Sequence, residues 1–122
     1  MAAQLLRPAA TAIDWEIIKG ETFDIVVPVL GGAPPGTPIT VDDWTAKAQV
    51  RRSEREPLLH EWSADHSNIT VAGTAVTLAV VGSVTTAWTW TDAMVSVEVT
   101  EPDGTEHVIA QGSIRALPEI TR

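Results

Sequence analysis

Val41-Asp42-Asp43-Trp44-Thr45-Ala46-Lys47-Ala48-Gln49-Val50-Arg51-Arg52 is the stretch whose reading decides the fold. From Thr45 onward, apolar Ala46, Ala48 and Val50 alternate with polar Lys47, Gln49 and Arg51. A strand turns successive side chains to opposite faces, so a period of two buries one face and wets the other. Asp42-Asp43 makes a polar corner, and Trp44 is a bulky anchor where the chain enters the sheet. The stretch predicts a half-buried antiparallel strand, with the rest of the chain as its neighbours.

Working outward, Ile13, Trp15 and Ile17 alternate with acidic residues up to Lys19-Gly20 and predict a first strand. After the turn Gly20-Glu21-Thr22, residues Phe23, Ile25, Val27 and Val29 share one face of a second. Pro28 cannot donate to a ladder, so it belongs at an edge, a bulge or a strand end. Gly31 to Pro38 is dense in turn formers and predicts an exposed loop. Beyond the central strand, Ser53-Glu54-Arg55-Glu56-Pro57 is a charged turn, and Leu58 to Trp62 returns as an edge strand. Ile69-Thr70-Val71 and Ala75 to Val80, around Ala72-Gly73-Thr74, read as a tight hairpin. Gly82 to Trp88 is the one helical candidate: Ser83 is suited to cap a single turn, and two threonines disfavour a longer one. Val95, Val97 and Val99 then alternate with Ser96 and Glu98. Glu101-Pro102-Asp103-Gly104 is a turn. Thr105 to Arg115 is the final strand, with Val108, Ala110 and Ile114 inward. About eight short strands punctuated by turns predict an antiparallel β-sandwich. No stretch is long enough for the helix that a parallel α/β crossover needs.

Composition narrows the function. A chain of 122 residues suits one domain with a real core. The absence of cysteine excludes a disulfide framework and a thiolate zinc site. Eight Lys/Arg against sixteen Asp/Glu, a net charge of -8, oppose a sequence-independent grip on nucleic acid and docking on an anionic membrane. No apolar run approaches the ~20 residues that span a bilayer. Near the N-terminus the apolar core is only Leu5-Leu6, and its cation, Arg7, follows it, the reverse of a signal peptide. Residues 1–12 read as an extended arm, disordered or laid across a neighbouring subunit, of a cytosolic product. Residues 13–116 read as the sandwich and 117–122 as a tail. Five tryptophans, one phenylalanine and no tyrosine make indoles the main large core fillers; Trp15 and Trp44 are assigned to the core.

No residue pattern points to catalysis, a cofactor or a metal. His60, His66 and His107 lack ligand spacing, and Glu61, Asp65 and His66, though three potential ligands on one loop, read as a solvated turn. Asp42, Asp43 and Asp103 form no calcium loop and read as turn caps. Neither a nucleophile elbow nor a glycine-rich phosphate loop occurs. Arg51, Arg52 and Arg55 are the one cationic cluster. Interleaved with Glu54 and Glu56, they predict surface ion pairs, or half of a charge-complementary subunit contact.

Taken together, several landmarks carry a resemblance: Lys19-Gly20-Glu21-Thr22-Phe23 before a strand, Asp43 to Arg51, and the Ile69-to-Leu78 hairpin. Thr86-Ala87-Trp88, Pro102-Asp103-Gly104, Gly112 to Arg115 and the closing Glu119-Ile120-Thr121-Arg122 complete it. From Trp15 onward the chain resembles a family of bacteriophage virion proteins: the immunoglobulin-like N-terminal domain of baseplate upper proteins, and small stand-alone minor capsid or decoration proteins of the same pattern. The resemblance implies an immunoglobulin-like antiparallel β-sandwich with Greek-key connections and at most one short helical turn. It also implies a non-enzymatic structural role in the virion, assembled in the host cytoplasm. No receptor-binding or coiled-coil extension follows the domain, which favours a capsid-cementing role over a tail or baseplate adaptor. The expected partners are the major capsid protein or other virion subunits, in a homo-oligomer or multicopy assembly. The expected contacts are Leu5, Leu6 and Arg7 of the arm, Arg51, Arg52 and Arg55, and Ile120 and Arg122 of the tail. A third reading, a carbohydrate-binding sandwich, would use Trp88 and Trp90 as two exposed rings on one face.

Overall fold

The period-two alternation becomes strands throughout the described residues. The structure, a computed structural model, describes residues 11–31, 36–53 and 55–118. Leu5, Leu6, Arg7, Ile120 and Arg122 lie outside the described residues. In chain order the strands are β1 (Thr11–Ile18), β2 (Phe23–Pro28), β3 (Leu30–Gly31), β4 (Thr37–Pro38), β5 (Thr45–Arg51) and β6 (Leu58–Trp62). After them come β7 (Ile69–Ala72), β8 (Ala75–Val80), helix α1 (Gly82–Thr85), β9 (Asp92–Thr100) and β10 (Glu106–Leu117). The fold is all-β: a five-stranded sheet in the order β1-β10-β9-β5-β6, a three-stranded sheet in the order β2-β8-β7, and the small pair β3-β4.

One core joins the two larger sheets. Ile17, Val50, Val97 and Ile114 come from the first sheet and Val27, Val76, Leu78 and Val80 from the second. Trp62, fully buried, donates its Nε1–H to Ala79 O at 2.8 Å and so ties β6 to β8 across the layers. At the other end of the second sheet, the β7–β8 hairpin turns at Gly73 (φ 61°), a left-handed conformation that glycine adopts without steric cost. Gly73 N donates to Asp42 Oδ1 at 2.6 Å and Val41 N to Gly73 O at 2.8 Å, so the Asp42 corner caps the neighbouring turn.

Several expectations are corrected. The sandwich is not wholly antiparallel: β1 pairs parallel with β10, from Thr11↔Ala110 to Ile18↔Leu117. Alternation along a strand is the same in either direction, so nothing local announces the pairing sense. This pairing draws residues 11 and 12 of the expected arm and residue 117 of the expected tail into the sheet. In β10, a bulge between Val108 and Ala110 inserts one residue, which turns Val108 outward and buries Ile109. Ser83 does not cap α1; Val81 holds the N-cap position, and Gly82 N finds Thr22 Oγ1 at 2.9 Å instead. A second helical turn, the 3-10 segment Ala64–His66, exceeds the single one expected. Part of the Gly31–Pro38 loop pairs as β3 and β4. Trp15 and Trp44 pack only part-buried against the core, whereas the fully enclosed indoles are Trp62 and Trp90.

Candidate functional site

Three surfaces bring candidate residues together: the cationic corner, the β1 edge and a cleft beside β6. At the corner, Arg51 ends β5 and its guanidinium donates to Glu56 O at 2.9 Å and Gln49 Oε1 at 3.3 Å. Arg51 is therefore a brace for the β5–β6 turn. Arg52 and Arg55 are exposed. Glu54 lies outside the described residues; among those described, none of the three arginines forms an ion pair with Glu56, and the arginine ion pairs present are those of Arg115. Arg52 instead lines a recess of about 260 Å³ with Thr89, Trp90, Thr91 and Asp92. That neighbourhood joins residues nearly forty positions apart and has no local signature.

Along the β1 edge, Thr11 lies level with Ala110 while Ile18 lies level with Leu117. Because the pairing is parallel, Thr11 and Pro118 sit at opposite ends of the β1·β10 pair. Residues 1–10 thus precede the edge strand β1 at one end, and residues 119–122 follow β10, the next strand in, at the other. On the outer face of this edge Arg115 bridges Glu16 at 3.3 Å and Asp92 at 3.4 Å, exposed pairs worth little individually.

The cleft, about 390 Å³, opens between β6, the 3-10 turn, the end of β8 and α1. His60 and Trp62 are two apart in β6 and share a face, so both rings turn toward it. His60 meets Trp62 edge-on at 4.5 Å between centroids and Trp88 at 5.1 Å. Trp88 in turn stacks on Trp90 at 4.7 Å. Burial lowers the pKa of His60; the nearby His66 pushes the same way and Glu61 opposes them. Glu61 receives a hydrogen bond from Gln49 Nε2 at 2.7 Å, the main cause of its lowered pKa, and lies 3.4 Å from His66. Asn68 completes the site by filling the β6 edge: its Oδ1 accepts from Ser63 N at 2.9 Å and its Nδ2 donates to Glu61 O at 3.1 Å.

Chemically, the cleft offers apolar walls and a carboxylate rim. No hydroxyl among the described residues is hydrogen-bonded to His60 or His66, and no group of three His, Asp or Glu there is spaced to hold a metal ion. Trp90 is only 4% exposed and lies against Trp88, so the pair does not present the two open rings of a sugar platform. Asp103 caps its turn by accepting from Thr105 N at 2.9 Å, which is also the main reason its pKa is lowered. The cleft has no sequence motif; its one local sign is the in-phase pair His60 and Trp62, which places the imidazole on the inward face of β6. No model of a known protein family matches the chain, and no curated protein is similar to it in sequence.

Proposed function

We propose that this chain is a non-enzymatic structural protein of a bacteriophage virion, a minor capsid or decoration protein that cements neighbouring subunits. Its scaffold, in this reading, is an immunoglobulin-like Greek-key sandwich. The strand order supports that scaffold: β10-β9-β5-β6 runs as the G, F, C and C′ strands of a variable-type immunoglobulin sheet, and β2-β8-β7 as B, E and D. Two hallmarks of antibody domains are missing from the sequence, the cysteine pair between B and F and the tyrosine of the E–F corner, since the chain has neither residue.

The observation that carries the cementing role is that Thr11 and Pro118, the points from which the terminal segments continue, lie at opposite ends of the β1·β10 pair. Residues 1–10, with Leu5, Leu6 and Arg7, precede the edge strand β1, and residues 119–122, with Ile120 and Arg122, follow β10, the next strand in, at the opposite end of the pair. A module built so reaches two different neighbours, and many copies making modest contacts reinforce a shell through multivalency. Exposed Arg52 and Arg55 add a cationic corner to a chain of net charge -8, which favours head-to-tail contact between unlike patches.

The test is to separate purified virions into heads and tails and quantify the protein in each by mass spectrometry. Recovery with heads, in many copies, is the expected result. Recovery with tails alone replaces the capsid role by the adaptor role, and absence from both fractions overturns the virion assignment.

A further inference from the structure

We infer that the cleft beside β6 receives the Leu5-Leu6 pair of a neighbouring copy, with that copy's Arg7 against Glu61. The inference rests on the multicopy reading above and names the acceptor that reading leaves open. Apolar surface is uncovered at this place: of the lining residues Val81 is 41% exposed and Val84 42%. The cleft, at about 390 Å³, is within the size range of specific pockets. Its rim carries a carboxylate, Glu61, and no Lys or Arg lines it. An occupant with adjacent aliphatic side chains followed by a cation matches both features. Of the segments outside the described residues, only 1–10 carries adjacent leucines, and Arg7 follows them directly. Glu61 already accepts from Gln49 at Oε2 and has His66 Nε2 3.4 Å from Oε1, yet an ionised carboxylate has about four lone-pair sites, so a guanidinium is accommodated as well.

The occupant comes from another copy because a chain's own arm is too short. Thr11, Ala110, Val97, Ala48 and Trp62 form one row across the five-stranded sheet. Four strand spacings, ~19 Å, therefore separate Thr11 from β6. Five residues from Leu6 to Thr11 span at most ~18 Å when fully extended. The cleft is displaced further, toward α1, which docks at the far end of β1 through the 2.9 Å bond from Gly20 N to Thr85 Oγ1. Docking is by side chains rather than by strand addition, since Asn68 occupies the β6 edge at Glu61 O and Ser63 N. Donor strand and acceptor cleft lie at opposite edges of the same sheet, so the contact is either exchanged reciprocally within a two-fold pair or repeated head to tail in a ring or open chain.

A chain without cysteine makes the test direct. Full-length Leu6→Cys and Val84→Cys variants, each matched to the parent by circular dichroism, are mixed and oxidised. The expected result is a mixed disulfide dimer in several-fold excess over that formed by Leu6→Cys with Val26→Cys, a 62% exposed position on β2. Adding Arg7→Glu to the Leu6→Cys chain should reduce the yield several-fold. Equal yields from Val84 and Val26, or closure within single chains of a Leu6→Cys/Val84→Cys double variant, overturn the inference. Virion association is measured on the unmodified chain. Head-bound protein that gives no selective cross-link removes this contact and leaves the function standing. Selective cross-linking of a chain missing from virions removes the virion role and leaves the contact standing.

Discussion

Two tryptophans buried to nearly the same degree provide a sharp test of how this core is held. Trp62 is 0% exposed and Trp90 4%. They differ in one respect: Trp62 Nε1 donates to Ala79 O at 2.8 Å, whereas Trp90 Nε1 is buried with no hydrogen-bond partner among the described residues. Replacing either by phenylalanine removes similar ring volume, a shared cost of about 1–3 kcal/mol. Trp62→Phe also breaks the inter-sheet bond and strands the Ala79 carbonyl, adding about 1–2 kcal/mol. Trp90→Phe loses no such bond and removes a buried unpartnered donor, which offsets part of its packing loss. Trp62→Phe should therefore be the less stable variant by about 2 kcal/mol, or roughly 8 °C in Tm at about 4 °C per kcal/mol for a chain of this size. Urea unfolding followed by circular dichroism gives the comparison, with equal m-values required for it to be valid. Equal destabilisation, or a larger effect at Trp90, would refute the claim that the Trp62–Ala79 bond clamps the two sheets.

Further outcomes follow from the same structure. Asn68→Ala should destabilise the fold by about 2 kcal/mol, because Ser63 N and Glu61 O both lose their partner; hydrogen exchange should accelerate most at the Ser63 amide. In Gly112→Ala the new Cβ would overlap the Ile13 carbonyl, so the substitution should cost about 1–3 kcal/mol. Exchange protection should then fall along β1 while β5 and β9 keep theirs. Stability should also decrease on going from about pH 7.5 to about pH 5.5 through His60. Its folded pKa lies below 6.5, so the unfolded chain takes up a proton that the native cleft resists, and stability falls as pH drops through 6.5 toward the folded value. His60→Phe keeps a ring between Trp62 and Trp88 and should shrink the Tm difference between the two pH values; an unchanged difference would count against a buried neutral His60.

Much of the secondary structure was legible because alternation is a local property. Ala46, Ala48 and Val50 of β5, and Val95, Val97 and Val99 of β9, turn inward as their period demands. Pro28 ends β2, where a missing N–H costs nothing. The β7–β8 hairpin turns at Gly73 as its residues predict. The misreadings arose where a partner distant in sequence overrode the local pattern. Val108 reads as inward by alternation with Ala110, but the bulge at Ile109 turns it outward and buries Ile109 in its place. Ser83 looked like a cap, but Thr22, some sixty residues away, supplies the acceptor for Gly82 N. Arg51 looked like a surface cation and is a turn brace.

By itself the sequence determined an all-β chain, its main strands and most of its inward-facing residues, since each is set by neighbours one or two positions away. Only the tertiary structure decided which strands meet and in which sense, above all the parallel seating of β1 on β10, and which aromatic rings the core encloses. The cleft at His60, Val84 and Trp88 belongs to the same class: its walls come from separate elements and exist only after the sheets close on each other. Strand pairing is satisfied by backbone groups common to every residue, so side-chain order specifies a strand far more strongly than it specifies that strand's partner.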